Sequence, residues 1–240
     1  AVMPDDFQNM LRSLPDRGFS GVNVTLPHKI AALKAVDTLD NSARRIGAVN
    51  TVVVKADGSL HGSNTDAFGF MANISDVRPD FEPTAGAAIV LGAGGAARAV
   101  CVALQDSGVP EILVLNRTRE TAETLAEDLG RPLEVYDWAL RHDVLKEGSF
   151  LVNTTSLGMT GMAPLDLNLA ALPDNSCVCD IVYTPLETPL LARARARGNP
   201  TIDGLGMLLH QARPGFEAWF GQMPDVTDAL RHAVLNAVDK

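Results

Sequence analysis

At 240 residues, 46% of them hydrophobic, the chain can build two modest cores, and two domains are a better expectation than one. Its 20 Lys and Arg against 29 Asp and Glu give a formal charge of −9, which repels phosphate backbones and anionic membranes and argues against nucleic acid as a partner. No charge-free stretch of about twenty residues is present to cross a membrane, and no basic region followed by an apolar run opens the chain, so a soluble cytoplasmic protein is expected.

The first element reads as a helix, because Phe7, Met10, Leu11 and Leu14 recur at helical spacing until Gly18 supplies a stop. Val22, Val24 and Leu26 then alternate with Asn23 and Thr25 as a half-buried strand requires, and Pro27 opens a helix carrying Ile30, Leu33 and Val36. After a short helical stretch, Ala48 to Lys55 reads as a strand, Asp57-Gly58 as a hairpin turn and Leu60 to Ser63 as the return strand, closing a small α/β unit near Asp66.

From Ala67 a connecting helix and a loop with Pro79 and Pro83 lead to the continuous apolar run Ala87 to Leu91, which suits a strand buried on both faces. Helices over Ala96 to Ser107, Arg119 to Leu129 and near Leu190 to Arg197 alternate with strands over Glu111 to Leu115, Phe150 to Asn153 and Val178 to Val182. That alternation predicts a doubly wound parallel sheet. Met207 to Lys240 reads as helical, with Pro214 an irregularity and no strand to offer the second sheet, and is expected to pack back on the first domain. The three cysteines, Cys101, Cys177 and Cys179, have no metal-binding or C-x-x-C spacing and fit a reducing cytoplasm.

Gly92-Ala93-Gly94-Gly95-Ala96-Ala97 follows the apolar strand and opens a helix, the context in which a G-x-G-x-x-A turn receives a dinucleotide pyrophosphate. Missing side chains let the backbone approach phosphate, and the helix start offers unpaired N–H groups and a positive dipole end. A purely structural tight turn is the alternative. At the end of the next strand, where an NAD site presents a carboxylate, this chain carries Asn116-Arg117-Thr118, with Arg119 beyond. Arg117 can bond a 2′-phosphate, so NADP is the expected cofactor; an arginine on a solvated loop is the plainer reading.

Two polar clusters remain in the first unit. Thr25 and Lys29 flank a turn after a strand, and Gly62-Ser63-Asn64-Thr65-Asp66 follows the hairpin, placing Asp66 where it could face an interdomain cleft. A surface lysine and a helix-capping aspartate are the alternatives. His28 and His210 share no diagnostic spacing with a second ligand, so neither a metal nor a general-base role is assigned to them.

These clusters, with Ile46-Gly47-Ala48-Val49-Asn50-Thr51 between them, closely resemble the shikimate dehydrogenase family, whose motifs include N-V-T-x-P-x-K, G-A-x-N-T and N-T-D. The resemblance continues in order through the glycine turn, Asn116-Arg117-Thr118, Asn153 to Met159, Asp180 to Pro185 and Gly204 to Gln211. It implies a Rossmann-type doubly wound domain over 66–203 that binds NADP, and a smaller discontinuous α/β substrate domain over 1–65 and 204–240, with a cleft between them that hinge closure would tighten. It implies NADP-dependent oxidation of shikimate to 3-dehydroshikimate, on the route to chorismate and the aromatic amino acids, and is compatible with a homodimer.

Residue by residue, the resemblance assigns Lys29 and Asp66 as the catalytic pair and Thr25, Asn50, Tyr183 and Gln211 to the substrate. It assigns Asn116, Arg117 and Thr118 to the adenosine phosphate, Thr155 and Ser156 along the cofactor, and Gly204 and Met207 to its nicotinamide end. The chemistry agrees, since removing a hydride from a secondary alcohol requires the hydroxyl proton to leave, and an amine beside a carboxylate can receive it.

Family members open with a strand and a Ser-x-Ser-Pro type loop for the substrate carboxylate, and nothing like it stands before Lys29 here. A longer protein or a truncated form is therefore expected, with an exposed sheet edge, NADP binding and weak turnover of 3-dehydroshikimate. The same departure leaves quinate as the alternative substrate. A noncatalytic cofactor-binding module is a further alternative, against which intact Lys29 and Asp66 argue. A nucleic-acid-binding regulator conflicts with the acidic balance.

Overall fold

The structure, a computed structural model, describes residues 2–25 and 27–238; Leu26, expected as an inward strand position, lies outside the described residues, as do Ala1, Asp239 and Lys240. The chain divides into two compact units, Ala1–Gly69 with Gln211–Asp225, and Phe70–His210 with Val226–Lys240.

In the first unit, α1 (Pro4–Arg12) starts with a proline and with Asp5 and Asp6 at the positive end of its dipole. It is followed by β1 (Gly21–Asn23), α2 (Lys29–Ala35), β2 (Thr38–Leu39), α3 (Asn41–Ile46), β3 (Thr51–Val54) and β4 (Leu60–Ser63). The sheet order is β1-β3-β4-β2, antiparallel except for the β2–β4 pair. Phe7, Leu11, Leu14, Val52 and Leu60 form the centre of its core.

Two local expectations change. The strand after Gly21 stops at Asn23, although Val24 remains buried and its N–H donates to the Asn50 carbonyl at 2.7 Å. In α2 the buried face is Ala32 and Ala35, whose small side chains allow close approach, while Ile30 stands 61% exposed. The hairpin is as expected: Gly58 has φ 82° and the Asp57 carboxylate accepts from the Ser59 N–H at 2.9 Å.

After α4 (Asp66–Val77), the second unit holds β5 (Ala87–Leu91), α5 (Gly95–Asp106), β6 (Ile112–Asn116), α6 (Arg119–Leu129) and β7 (Leu133–Asp137). Then come β8 (Gly148–Asn153), β9 (Cys177–Asp180), α7 (Pro189–Ala196), β10 (Thr201–Ile202), α8 (Leu205–Phe220) and α9 (Asp228–Val238). Its sheet is wholly parallel in the order β10-β9-β8-β5-β6-β7, so the winding reverses beside β5, whose residues are all buried. This is the doubly wound α/β architecture expected, and its topological switch lies between β5 and β8.

Three strands are not foreshadowed by pattern. β2 and β10 have two residues each, too few for alternation, and edge strand β7 buries Leu133 alone. The carboxyl-terminal helices also divide differently from the expectation, because only Gln211–Asp225 belongs to the first unit. There Trp219 Nε1 donates to the Val52 carbonyl at 3.2 Å, whereas α9 belongs to the second unit, where Arg231 bonds the Asp203 carboxylate at 2.6 Å. Pro214 is accommodated inside α8.

Candidate functional site

In the first unit, antiparallel pairing sets Thr51 of β3 against Ser63 of β4, which brings Asn50, just before one strand, beside Asn64–Asp66, just after the other. Asn50 is 2% exposed and is the hub of a polar network. Its Nδ2 lies 2.8 Å from Asp66 Oδ1, 3.0 Å from Thr65 Oγ1 and 3.2 Å from Gln211 Oε1. Its Oδ1 accepts from the Thr65 N–H and the Thr51 hydroxyl. Thr65 Oγ1 in turn donates to the Gln211 carbonyl at 2.7 Å. Burying so many polar groups is tolerable only because they satisfy one another.

Lys29, the first residue of α2, donates from Nζ to Asp66 Oδ2 at 2.6 Å. The lysine side chain is 22% exposed and the aspartate 8%, so the pair sits at the edge of the buried network with the amine toward its accessible side. Asp66 is the sole hydrogen-bond partner of the lysine amine among the described residues, which leaves N–H directions for another oxygen. Both Asp66 oxygens are engaged by side chains, Lys29 and Asn50, so its carboxylate does more than cap α4. Thr25 is exposed on the turn ahead of Lys29, its carbonyl accepting from the His28 N–H at 2.9 Å. His28 stacks on Phe7 at 4.4 Å and bonds the Val2 carbonyl through Nε2, a packing role.

In the second unit, Gly92 follows β5 with φ 108°, and a side chain there would strike the Thr154 hydroxyl. Gly94 caps α5 and Gly95 begins it; a Cβ on either would project into open space, so the N-terminus of this 12-residue helix is accessible. A cavity of about 220 Å³ is lined by Gly92, Ala93, Gly94, Asn116, Arg117, Trp138 and Thr154, Thr155, Ser156 and Leu157. Ala96 lies within the first turn of α5. Asn116 ends β6 and ties the following turn by donating to the Thr118 carbonyl at 2.8 Å.

Arg117 is exposed and has no hydrogen-bond or ion-pair partner among the described residues, whereas Arg119 is committed to Asp137 at 2.6 Å and Glu123 at 2.7 Å. The uncommitted cation is therefore Arg117. Open glycines at a helix start together with a free guanidinium one residue past the second strand fit a dinucleotide carrying a 2′-phosphate. Among the described residues no group of three or more His, Cys, Asp and Glu side chains could hold a metal ion.

The loop bearing Thr155 and Ser156 is fixed from below. Asn153 Oδ1 accepts from the Thr155 N–H and hydroxyl at 3.1 and 2.7 Å, and Asn153 Nδ2 donates to Asp180 Oδ1 at 2.9 Å. Asp180 is fully buried, also accepts from the Thr188 hydroxyl and the Val182 N–H, and burial pushes its carboxyl up to about 6. Gly204 admits no side chain because a Cβ would run into the Ile181 carbonyl; Met207 is buried and Tyr183 is 37% exposed. His210 is occupied by Asp76 at 2.8 Å.

The structure thus gathers Lys29, Asp66, Asn50 and Gln211 into one network and gathers most of the expected cofactor residues around one cavity. Sequence reasoning missed Thr65 and Asn64 as structural partners of the pair, Asn153 and Asp180 beneath the loop, and Trp138, Thr154 and Leu157 in the cavity wall. Thr65 and Asn153 stood inside quoted motifs; Trp138 was hidden because β7 was not recognised.

A doubly wound sheet with an open glycine turn and a free arginine past its second strand, together with a separate unit carrying a lysine–aspartate pair, defines a dinucleotide-dependent oxidoreductase. Residues 1–52 match the family model described as shikimate dehydrogenase substrate binding domain, 79–159 that for shikimate / quinate 5-dehydrogenase, and 204–235 that for the shikimate 5′-dehydrogenase C-terminal domain. The shikimate dehydrogenase (NADP(+)) of Paramagnetospirillum magneticum is 62% identical over 236 residues, covering 98% of this chain and 86% of the relative. The shikimate 5-dehydrogenase of Thermus thermophilus, solved with NADP(H) and shikimate, superposes with a TM-score of 0.87 at 37% identity, over 98% of this chain and 85% of that one. A quinate dehydrogenase from Corynebacterium glutamicum, solved with NAD, gives 0.90 at 33% identity, over 96% and 83%. The chain belongs to the shikimate dehydrogenase family and is an oxidoreductase.

Proposed function

We propose that this protein is an NADP-dependent shikimate dehydrogenase, a step in aromatic amino acid biosynthesis, with Lys29 transferring the hydroxyl proton and Asp66 orienting and charge-balancing it. The observation that carries the reading is the 2.6 Å Lys29–Asp66 pair tied through Asn50 to Gln211. On this reading the first unit takes the substrate, with hydroxyls received by Thr25, Asn50 and Gln211, and the second takes the cofactor; Tyr183, a residue of the second unit, is also assigned to the substrate.

NADP, when bound, supplies nicotinamide C4 as the hydride acceptor. As the substrate C–H electron pair leaves to the nicotinamide, the hydroxyl proton passes to Lys29 Nζ and the alcohol carbon becomes a carbonyl. Asp66 stabilises the Lys29 ammonium, and Asn50 holds Asp66 in place by donating to its other oxygen. In the reverse direction the Lys29 ammonium protonates the carbonyl oxygen. Gly92, Gly94, Gly95 and Ala96 leave room for the pyrophosphate, Thr155 and Ser156 flank it, Asn116, Arg117 and Thr118 receive the 2′-phosphate, and Gly204 and Met207 serve the nicotinamide end.

No helix among the described residues is long and apolar enough to cross a membrane, and the three cysteines are free and buried. A cytoplasmic homodimer completes the proposal, and light scattering tests the assembly. The activity test compares NADP and NAD with shikimate and quinate as substrates. NADPH formation fastest with shikimate supports the reading, and a preference for quinate replaces the substrate.

Arg117→Ala is expected to raise KM for NADP about 10- to 100-fold, the loss of a charge-assisted phosphate contact, while leaving KM for NAD nearly unchanged. Equal effects on the two cofactors would remove Arg117 from 2′-phosphate recognition.

A further inference from the structure

We propose that the Trp138 indole is the adenine-facing wall of the cofactor cavity, a binding residue acting beside Arg117; the inference rests on the NADP reading. Parallel pairing of β6 with β7 sets Asn116 level with Asp137, so the next residues, Arg117 and Trp138, leave the two strands side by side at their carboxyl ends. Both line the same cavity as the glycine turn. In a doubly wound sheet ligands bind outside those strand ends, and a cation there that takes the 2′-phosphate puts the attached purine within reach of its neighbour.

Trp138 is built to receive a flat ring. It is half-buried and packs against the core of the second unit, with the Arg141 guanidinium over its ring at 5.4 Å from the centroid. Arg141 is itself anchored, from Nε to the Asp166 carbonyl at 2.9 Å and from Nη2 to the Asp166 carboxylate at 2.6 Å. The indole is thus held in place by protein contacts before any ligand arrives. An aromatic face held in that way stacks on a purine whatever the base's hydrogen-bonding edge, while Arg117 supplies the discrimination for phosphate.

The probe is adenosine 2′,5′-bisphosphate, which carries the adenine and the 2′-phosphate without the nicotinamide. Titrated calorimetrically, Trp138→Ala is expected to bind it about tenfold more weakly than the wild type, and Trp138→Phe to recover most of that loss. The second readout is intrinsic fluorescence, since Trp138 and Trp219 are the chain's two tryptophans. The change on titrating the wild type is expected to vanish in Trp138→Phe, which also decides the matter if the alanine variant does not fold. Wild-type affinity in Trp138→Ala, or a fluorescence change retained in Trp138→Phe, overturns the wall alone. Failure of the wild type to bind the probe overturns the NADP reading beneath it.

Discussion

Replacing Lys29 by Ala is expected to lower kcat for shikimate oxidation by about 10²- to 10⁴-fold, the usual contribution of a positioned acid–base group, with the Kd for NADP unchanged. The separation follows from placement. Lys29 belongs to the first unit and is bonded there to Asp66, while the glycine turn and Arg117 line a cavity in the second. The variant keeps Asn50, Thr65 and Gln211 bonded to one another, so the network has a framework without the amine. Turnover by the variant within about threefold of wild type would remove Lys29 from the proton transfer, because a group that receives the proton cannot be dispensable at that level.

The second large effect concerns stability and pH. Burial raises the Asp180 carboxyl from its ordinary 3.8 to about 6, against the opposing bonds from Thr188, Val182 and Asn153. Between these pH values the folded chain keeps the proton that the unfolded chain has lost. Unfolding then releases it, and stability falls as pH rises. The contribution is fully present below about pH 4, declines through the folded pKa and is level above it, a loss of about 3 kcal/mol by pH 7. Asp180→Asn has no proton to lose. Urea unfolding of both proteins from pH 4 to 7 is therefore expected to show the wild type losing about 2 kcal/mol of that contribution relative to the variant across that range. A difference that does not vary with pH would mean that Asp180 titrates as an ordinary carboxylate despite its burial.

Much of the second unit could be read directly because its strands are continuous apolar runs bounded by turn residues, as at Ala87–Leu91, and its helices are long enough to show a period. The first unit was harder. Its strands have two to four residues, too short for alternation to stand out, and the Val24 N–H still bonds the Asn50 carbonyl in register just past the end of β1. Ile30 shows how a periodic apolar position can face outward when two alanines of the same helix provide the packing surface.

Site residues were visible where a motif places chemistry at a helix start after a strand, as for Lys29 and Asp66, or just past a strand end, as for Arg117. The partners that hold them were not, because hydrogen bonds such as Asn50 to Gln211 join residues 161 positions apart and leave no local pattern. The same reason hid Asp180, whose influence on Thr155 passes through Asn153.

The most direct measurement uses shikimate deuterated at the carbon that bears the reacting hydroxyl, incubated with the purified protein and NADP. The account predicts equal amounts of 3-dehydroshikimate and of NADPH carrying the deuterium at nicotinamide C4, with a slowed rate and no product in the Lys29→Ala variant on the same timescale. Reduced cofactor without the label, or no reduced cofactor from a protein that binds NADP, would contradict it.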